Sequence, residues 1–221
     1  MRKTTTILAI LMSMAANGCH DSGQPPNQKE GEQLAGKGQA TSLPRAFYDL
    51  LREGGRAGSL STKASCNGSG VVDRSISPAR SLKDKNLTNQ VAELISTDRD
   101  LSSQESAGLV RILDKSADAG LLRVHLAQFK VSAREPDQIL NALWSMPEVI
   151  TYMHEHSVDK IQTQSHISAV DDSIRPIDFE MRNVSVQDVL DQGALQFKAM
   201  WVYMECTENT TRFVSLDLAQ L

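Results

Sequence analysis

Histidine and cysteine are the residue types through which this sequence could carry chemistry, and both are sparse, at five and three copies in 221 residues. The tightest grouping is His154-Glu155-His156. On a strand, histidines two apart share a face and could hold one metal ion; on a helix they diverge, because residues i and i+2 do not face each other. This stretch closes a helical pattern. It therefore reads as exposed polar side chains near a helix C-terminus, where protonated histidine is mildly favoured. His166 could join the pair only if the intervening loop folded back, and His125 falls on the polar side of a strand pattern. Neither Cys66 nor Cys206 has the CxxC partner of a zinc site. No G-x-S-x-G elbow presents a serine, and Cys66-Asn67-Gly68-Ser69-Gly70 lacks the GxxxxGK[ST] spacing of a phosphate loop. Asp98/Asp100 and Asp171-Asp172 are carboxylate pairs in polar stretches, which read as solvated charge rather than an acid and a base. No residue type and spacing in the sequence points to a catalytic residue, a metal ligand or a cofactor.

The segment that decides where any such chemistry would take place is the first one, MRKTTTILAILMSMAANGC. Arg2 and Lys3 make a basic start. Ile7 to Ala16 is an apolar run of about ten residues, short of the roughly 20 a bilayer core requires. A basic start, a short apolar run and small residues predict a signal peptide over 1–18. The run ends Ala15-Ala16-Asn17-Gly18-Cys19, which resembles the lipobox of bacterial lipoproteins. That resemblance implies that Cys19 becomes the first mature residue and carries lipid. The protein would then be held on a membrane through acyl chains, each buried CH₂ contributing about 0.8 kcal/mol, without spanning it. The alternative is an ordinary cleaved signal followed by an incidental cysteine. His20, where some sorted lipoproteins carry Asp, implies by the same resemblance the outer membrane, facing the periplasm.

Charge and cysteine count narrow the class further. The formal charge of −4 becomes −6 once Arg2 and Lys3 leave with the leader. An acidic mature chain lacks the basic footprint of nucleic-acid binding, so no nucleic-acid partner is expected. With Cys19 lipidated, Cys66 and Cys206 remain as an even pair in an oxidising compartment. They form either a disulfide or two separate thiols. A bridge would close a loop of about 140 residues and stabilise by about 5 kcal/mol, as an upper figure, in the chain-entropy treatment. The sequons at Asn67, Asn86, Asn183 and Asn209 matter only in a eukaryotic secretory route, which this leader does not suggest.

The elements that would position these residues come in order. Residues 19–41 are rich in Gly, Gln, Pro and charge, and predict a flexible tether. From 42 to 175 the pattern is α+β. Leu43, Phe47, Leu50 and Leu51 mark a helix face, capped by Ser42 and stopped by Gly54-Gly55. Residues 56–70 read as a Gly/Ser loop. Leu87, Val91, Leu94 and Ile95 mark a second helix, and 108–113 a strand. Leu122, Val124 and Leu126 alternate with polar residues and predict a strand from Leu121 to Phe129. Pro136 opens a helix with Ile139, Leu140, Leu143 and Trp144 inward, Pro147 breaks it or starts another, and 157–174 reads as loop. Residues 176–221 form a β-α-β-β unit. A strand of Ile177, Phe179 and Met181 ends at Asn183, a helix starts at Ser185, and strands follow over Met200–Met204 and Arg212–Leu218.

Leu87 to Val91 echoes Val186 to Leu190, which fits two related βα units in one domain. The C-terminal pattern IDFEMRNVSVQDVLDQGALQFKAMWVYM resembles the short N-terminal domain of secretins and TonB-dependent receptors, with Val186, Val189 and Leu190 supplying its helical step. The resemblance implies a docking or signalling contact within the envelope. As a whole the chain resembles a bacterial envelope lipoprotein. Trp201 and Tyr203 share one strand face. They are core anchors, or, if Met200, Val202 and Met204 face inward instead, an exposed binding surface. The expected fold is thus α+β, with small βα units and short mixed sheets against helices, behind a signal peptide and a tether. The expected role is a non-catalytic, lipid-anchored envelope protein that presents an interaction module to a protein partner. A small periplasmic hydrolase, with residues converging only in three dimensions, is the alternative.

Overall fold

A computed structural model describes residues 41–67, 70–72, 74–76, 86–161 and 175–221. The signal peptide at 1–18, Cys19 and all of the tether but Thr41 lie outside the described residues. Lys37–Leu221 forms one compact unit, and the fold is α+β as its periodicities predict.

In chain order the described elements begin with β1 (Thr41–Ser42), α1 (Leu43–Gly54), β2 (Gly58–Lys63), β3 (Ser65–Asn67), β4 (Gly70–Val72) and β5 (Ser75–Ile76). Next come α2 (Leu87–Leu94), β6 (Leu101–Ser106), β7 (Leu109–Asp114), a 3₁₀ turn (Gly120–Arg123) and β8 (His125–Ala133). The chain continues through α3 (Pro136–Trp144), α4 (Pro147–Glu155), β9 (Val158–Lys160) and β10 (Ile177–Ser185). It ends with α5 (Val186–Phe197), β11 (Ala199–Glu208) and β12 (Thr211–Gln220).

The main sheet has six strands in the order β6-β7-β2-β11-β12-β9. Its centre, β7, β2 and β11, is parallel, while β6 and β12 add as antiparallel hairpin partners. Parallel central strands need cover on both faces. On one face α1 and α2 bury Leu43, Phe47, Leu51 and Val91 against Leu60, Ile112, Met200 and Val202. On the other, α3, α5 and the β8–β10 ribbon pack Ile139, Val189, Phe129 and Phe179 with Trp201, Tyr203 and Leu216.

Local chemistry fixes the helix ends. The Ser42 hydroxyl accepts from the Arg45 N–H, and Gly55 closes α1 at φ 62°, the left-handed region that glycine enters without a Cβ clash. The Asn86 side chain caps α2 by accepting from the Asn89 N–H. Ser185 and Asp188 form a capping box on α5: the Asp188 N–H donates to Ser185 Oγ at 3.1 Å, and the Ser185 N–H to the Asp188 carboxylate at 2.8 Å.

Several sequence expectations give way. The stretch 56–70 is not a loop: Gly58–Lys63 is the middle strand of the sheet, with Ser59, Ser61 and Thr62 buried. Gly58 is required there, because a Cβ would lie 2.4 Å from Leu51 Cδ1 and 2.9 Å from the Val110 carbonyl oxygen. Leu101–Ser106 is polar along most of its length, yet it forms the sheet-edge strand β6. The Leu121–Phe129 pattern divides into a 3₁₀ turn and β8, so Leu122 is buried from a turn rather than from a strand. Asn183 does not end β10; it takes φ 51° inside a ladder that continues to Ser185↔His125. Residues 158–160 form the edge strand β9 within the expected loop, whose 162–174 portion lies outside the described residues. Strands from either side of residue 175 interleave: β11 pairs with β2, β12 with β9, and β10 with β8, so 176–221 does not make a sheet of its own. Nor do the echoed helices lead to equivalent places, since α2 leads to the sheet edge β6 and α5 to the central β11.

Candidate functional site

Among the described residues, three polar assemblies and a groove gather side chains that could serve a function. The first lies beneath α5. Arg111, 5% exposed on β7, donates two hydrogen bonds to Asp191 of α5, at 3.0 and 2.7 Å, and a longer one to Ser59 Oγ at 3.4 Å. The Trp201 indole N–H donates to the same Asp191 at 2.9 Å. A buried guanidinium is tolerable only with such a bidentate partner. The assembly bolts α5 to the sheet.

The second and third lie at the C-terminal end of the parallel strands. Asp114 closes β7 and accepts from the Lys63 N–H at 2.9 Å, the Ser116 hydroxyl at 2.6 Å and Arg74 at 2.8 Å. Burial pushes its carboxyl up, but the hydrogen bonds from Ser116 and Lys63 and the Arg74 charge outweigh that and hold it below the usual carboxylate range. Glu205 on β11 accepts from the Tyr203 hydroxyl at 2.7 Å and from the Asp118 and Ala119 N–H groups. Burial, then the Glu205 charge, pushes the Tyr203 hydroxyl far up, so it remains a proton donor. Asp118 is lowered chiefly by its hydrogen bond from Arg123, burial opposing, and it also takes Arg212 at 2.7 Å. Each buried carboxylate is thus occupied with fixing a loop or helix to the sheet.

The sequence-derived candidates disperse. His154 lies in the last turn of α4 and His156 at its C-cap, with the His156 ring 4.4 Å from that of Tyr152. His125 is exposed on β8, and His166 lies outside the described residues. Among the described residues no group of three His, Cys, Asp or Glu is placed to hold a metal. Asp98 pairs with Arg74, while Asp171-Asp172 lies outside the described residues. Cys66 and Cys206 are joined in a disulfide, Cα atoms 5.5 Å apart, which ties β3 to β11. Trp201 and Tyr203 are 1% and 0% exposed, which corrects the exposed-surface alternative. That alternative assumed a sheet with one dry face. Here both faces of β11 are covered, so Met200 and Val202 are buried too.

The groove runs beside α1 and along β12, between α1 on one face of the sheet and α3 and α5 on the other. It encloses about 970 Å³. Met200, Val202 and Met204 lie at its floor, with Asp217 and Ala219 beside them on β12. One wall is α1, through Arg45, Tyr48 and Arg52; the other is built from the start of α3 and the end of α5. Tyr48 donates its hydroxyl to the Gln220 carbonyl at 2.8 Å, and the guanidiniums of Arg45 and Arg52 each sit 5.7 Å from its ring centre. Asp49 accepts from Arg45 at 3.1 Å and pairs with Arg52 at 3.3 Å, which orients both. The spacing i, i+3, i+7 of Arg45, Tyr48 and Arg52 was the available sequence signal. The apolar face of the same helix, Leu43, Phe47, Leu50 and Leu51, dominates the pattern and masks it.

No family model, no curated protein and no solved structure matches this chain.

Proposed function

We propose that this is a non-catalytic, lipid-anchored protein of the bacterial cell envelope, attached through Cys19 to the outer membrane on its periplasmic side. Its α+β unit serves as an interaction module for another envelope component. The observation that carries the reading is the groove beside α1, an open concave surface with an apolar floor and a charged rim. Such a surface suits recognition, whereas the buried polar groups elsewhere are spent on internal contacts. The Cys66–Cys206 bridge supports export, because disulfides persist in oxidising compartments. The docking contact implied by the resemblance of 177–204 to the N-terminal domains of secretins and TonB-dependent receptors belongs to the same reading.

Two experiments test it. Membrane fractionation of cells carrying Cys19→Ala behind a leader that the general signal peptidase cleaves should move the protein from the membrane pellet to the soluble periplasm. Retention in the pellet overturns the anchor. A photo-crosslinking amino acid placed at Arg52 should trap one envelope protein in intact cells, while the same group at Ile150, exposed on α4, should not. Equal trapping at both positions, or at neither, overturns the docking role.

A further inference from the structure

We infer that the occupant of this groove is an extended acidic peptide segment of the partner protein. The inference deepens the docking reading and rests on it. The whole chain is acidic, with a formal charge of −4. Yet the groove gathers Arg45, Arg52, Arg134, Arg175 and Lys198 against Glu135, Asp137 and Asp217, with Asp49 between the α1 arginines, so positive groups outnumber carboxylates there by five to four and the local sign is reversed. An anionic ligand is steered to such a place and its wrong-signed competitors are repelled.

The cations are also held in position. Arg45 and Arg52 flank the Tyr48 ring, which is itself tied to the Gln220 carbonyl. Each gives Asp49 only part of its donor fork and keeps further N–H groups for a ligand. On the opposite wall Lys198 closes α5 at φ 49°, where glycine is the ordinary occupant. The strained backbone keeps a long cationic side chain at the rim instead of a hydrogen atom. Below the rim, half-buried Met204 offers a flexible, polarisable side chain that adapts to small apolar groups, over Met200, which is closed beneath α1. A ligand that alternates carboxylates with apolar side chains meets both levels. A membrane surface would meet the rim alone, because a flat sheet of headgroups cannot reach a recessed floor.

The test uses the Cys19→Ala protein exported behind that cleavable leader, which keeps every described residue and needs no detergent. Fluorescence anisotropy compares a labelled dodecapeptide of alternating Glu and Leu with its Lys/Leu counterpart, at low and moderate salt. The acidic peptide should bind, more weakly as salt rises, and the basic one should not. Arg45→Glu with Arg52→Glu should weaken the acidic peptide by about tenfold or more, and Lys198→Gln by about threefold, on the scale of screened rim charges. The two sites lie on different elements, so a folding defect in one variant leaves the other to decide. Equal affinity for the two peptides, acidic binding indifferent to both variants, or capture by anionic phosphatidylglycerol vesicles alone overturns the inference. A crosslink at Arg52 in cells without a preference for the acidic peptide sinks this occupant and leaves docking standing; loss of both sinks both.

Discussion

The two faces of the main sheet do different work, and β11 displays the difference residue by residue. Trp201 and Tyr203 point into the layer of α3 and α5, where every neighbour is packed and the one indole N–H is satisfied by Asp191. Met200 and Val202 point the other way, towards α1, whose cover stops short of β12. The covered face spends its polar groups internally, in Arg111, Asp191 and Glu205. The partly open face keeps its charges on a rim, around a hollow of about 970 Å³. Packing is tightest on one side, and the proposed recognition surface lies on the other. That division has measurable consequences.

The largest should come from the covered face. Trp201→Ala removes a side chain that is 1% exposed and also takes a hydrogen bond from Asp191. Truncating a buried aromatic costs about 3–5 kcal/mol, and here Arg111 is left with a less constrained partner. Val202→Ala, one residue on and facing α1, should cost about 1–2 kcal/mol, the transfer value of the methyl groups lost. Urea unfolding of the two variants measures the contrast directly. Equal losses would mean that the groove face is as tightly packed as the other.

The next effect belongs to the polar end of the sheet. The Asp114 carboxyl sits below its ordinary value of 3.8, and a depressed folded value means that the charged form is favoured by folding. Its contribution is therefore complete above the ordinary value and is lost as pH falls through the lower, folded one. Urea midpoints should drop as the pH goes below about 4, the unfolded-state value for an aspartate. Asp114→Asn should cost about 1–3 kcal/mol at neutral pH, because the Lys63 N–H and Arg74 lose their charged acceptor. It should also flatten that acid slope. A slope unchanged in the variant would assign the acid sensitivity to other carboxylates, with Asp118 the next to examine.

Two parallel neighbours, β2 and β11, show how far the sequence could be read. The run Met200-Trp201-Val202-Tyr203-Met204 announces a strand, because a strand buried on both faces reads as continuous apolar sequence. Gly58-Ser59-Leu60-Ser61-Thr62 lies beside it, just as buried, and announces a loop. Its small polar residues fit because tall partners lie across them: Leu51 against Gly58, and Arg111 reaching Ser59. That reason exists only in three dimensions. Helix starts were legible for the opposite reason, since a cap is local: Ser42 and Ser185 act within three residues of themselves. The Cys66–Cys206 bridge could be argued from parity, although its anchoring of β3 to β11 could not. The groove was the least legible feature, because α1, β12, α3 and α5 each supply a part of it from distant sequence.

The smallest stability effect should come from the rim, and it is the one that most sharpens the contrast between the faces. The side chains of Arg45 and Arg52 are 62% and 52% exposed, and their ion pairs with Asp49 are of the solvent-screened kind. Such pairs contribute little, so the Arg45→Glu/Arg52→Glu protein should unfold within about 1 kcal/mol of the parent. Part of that cost would be like-charge crowding with Asp49 along the helix. High salt should shrink even this difference, since it screens attraction and repulsion alike. If the double reversal instead cost as much as Trp201→Ala, the α1 arginines would be structural, the open face would be a second core, and the division between packing and recognition would fail. A near-silent result in urea, set beside a large loss of acidic-peptide binding, is the pairing that a dedicated recognition face requires.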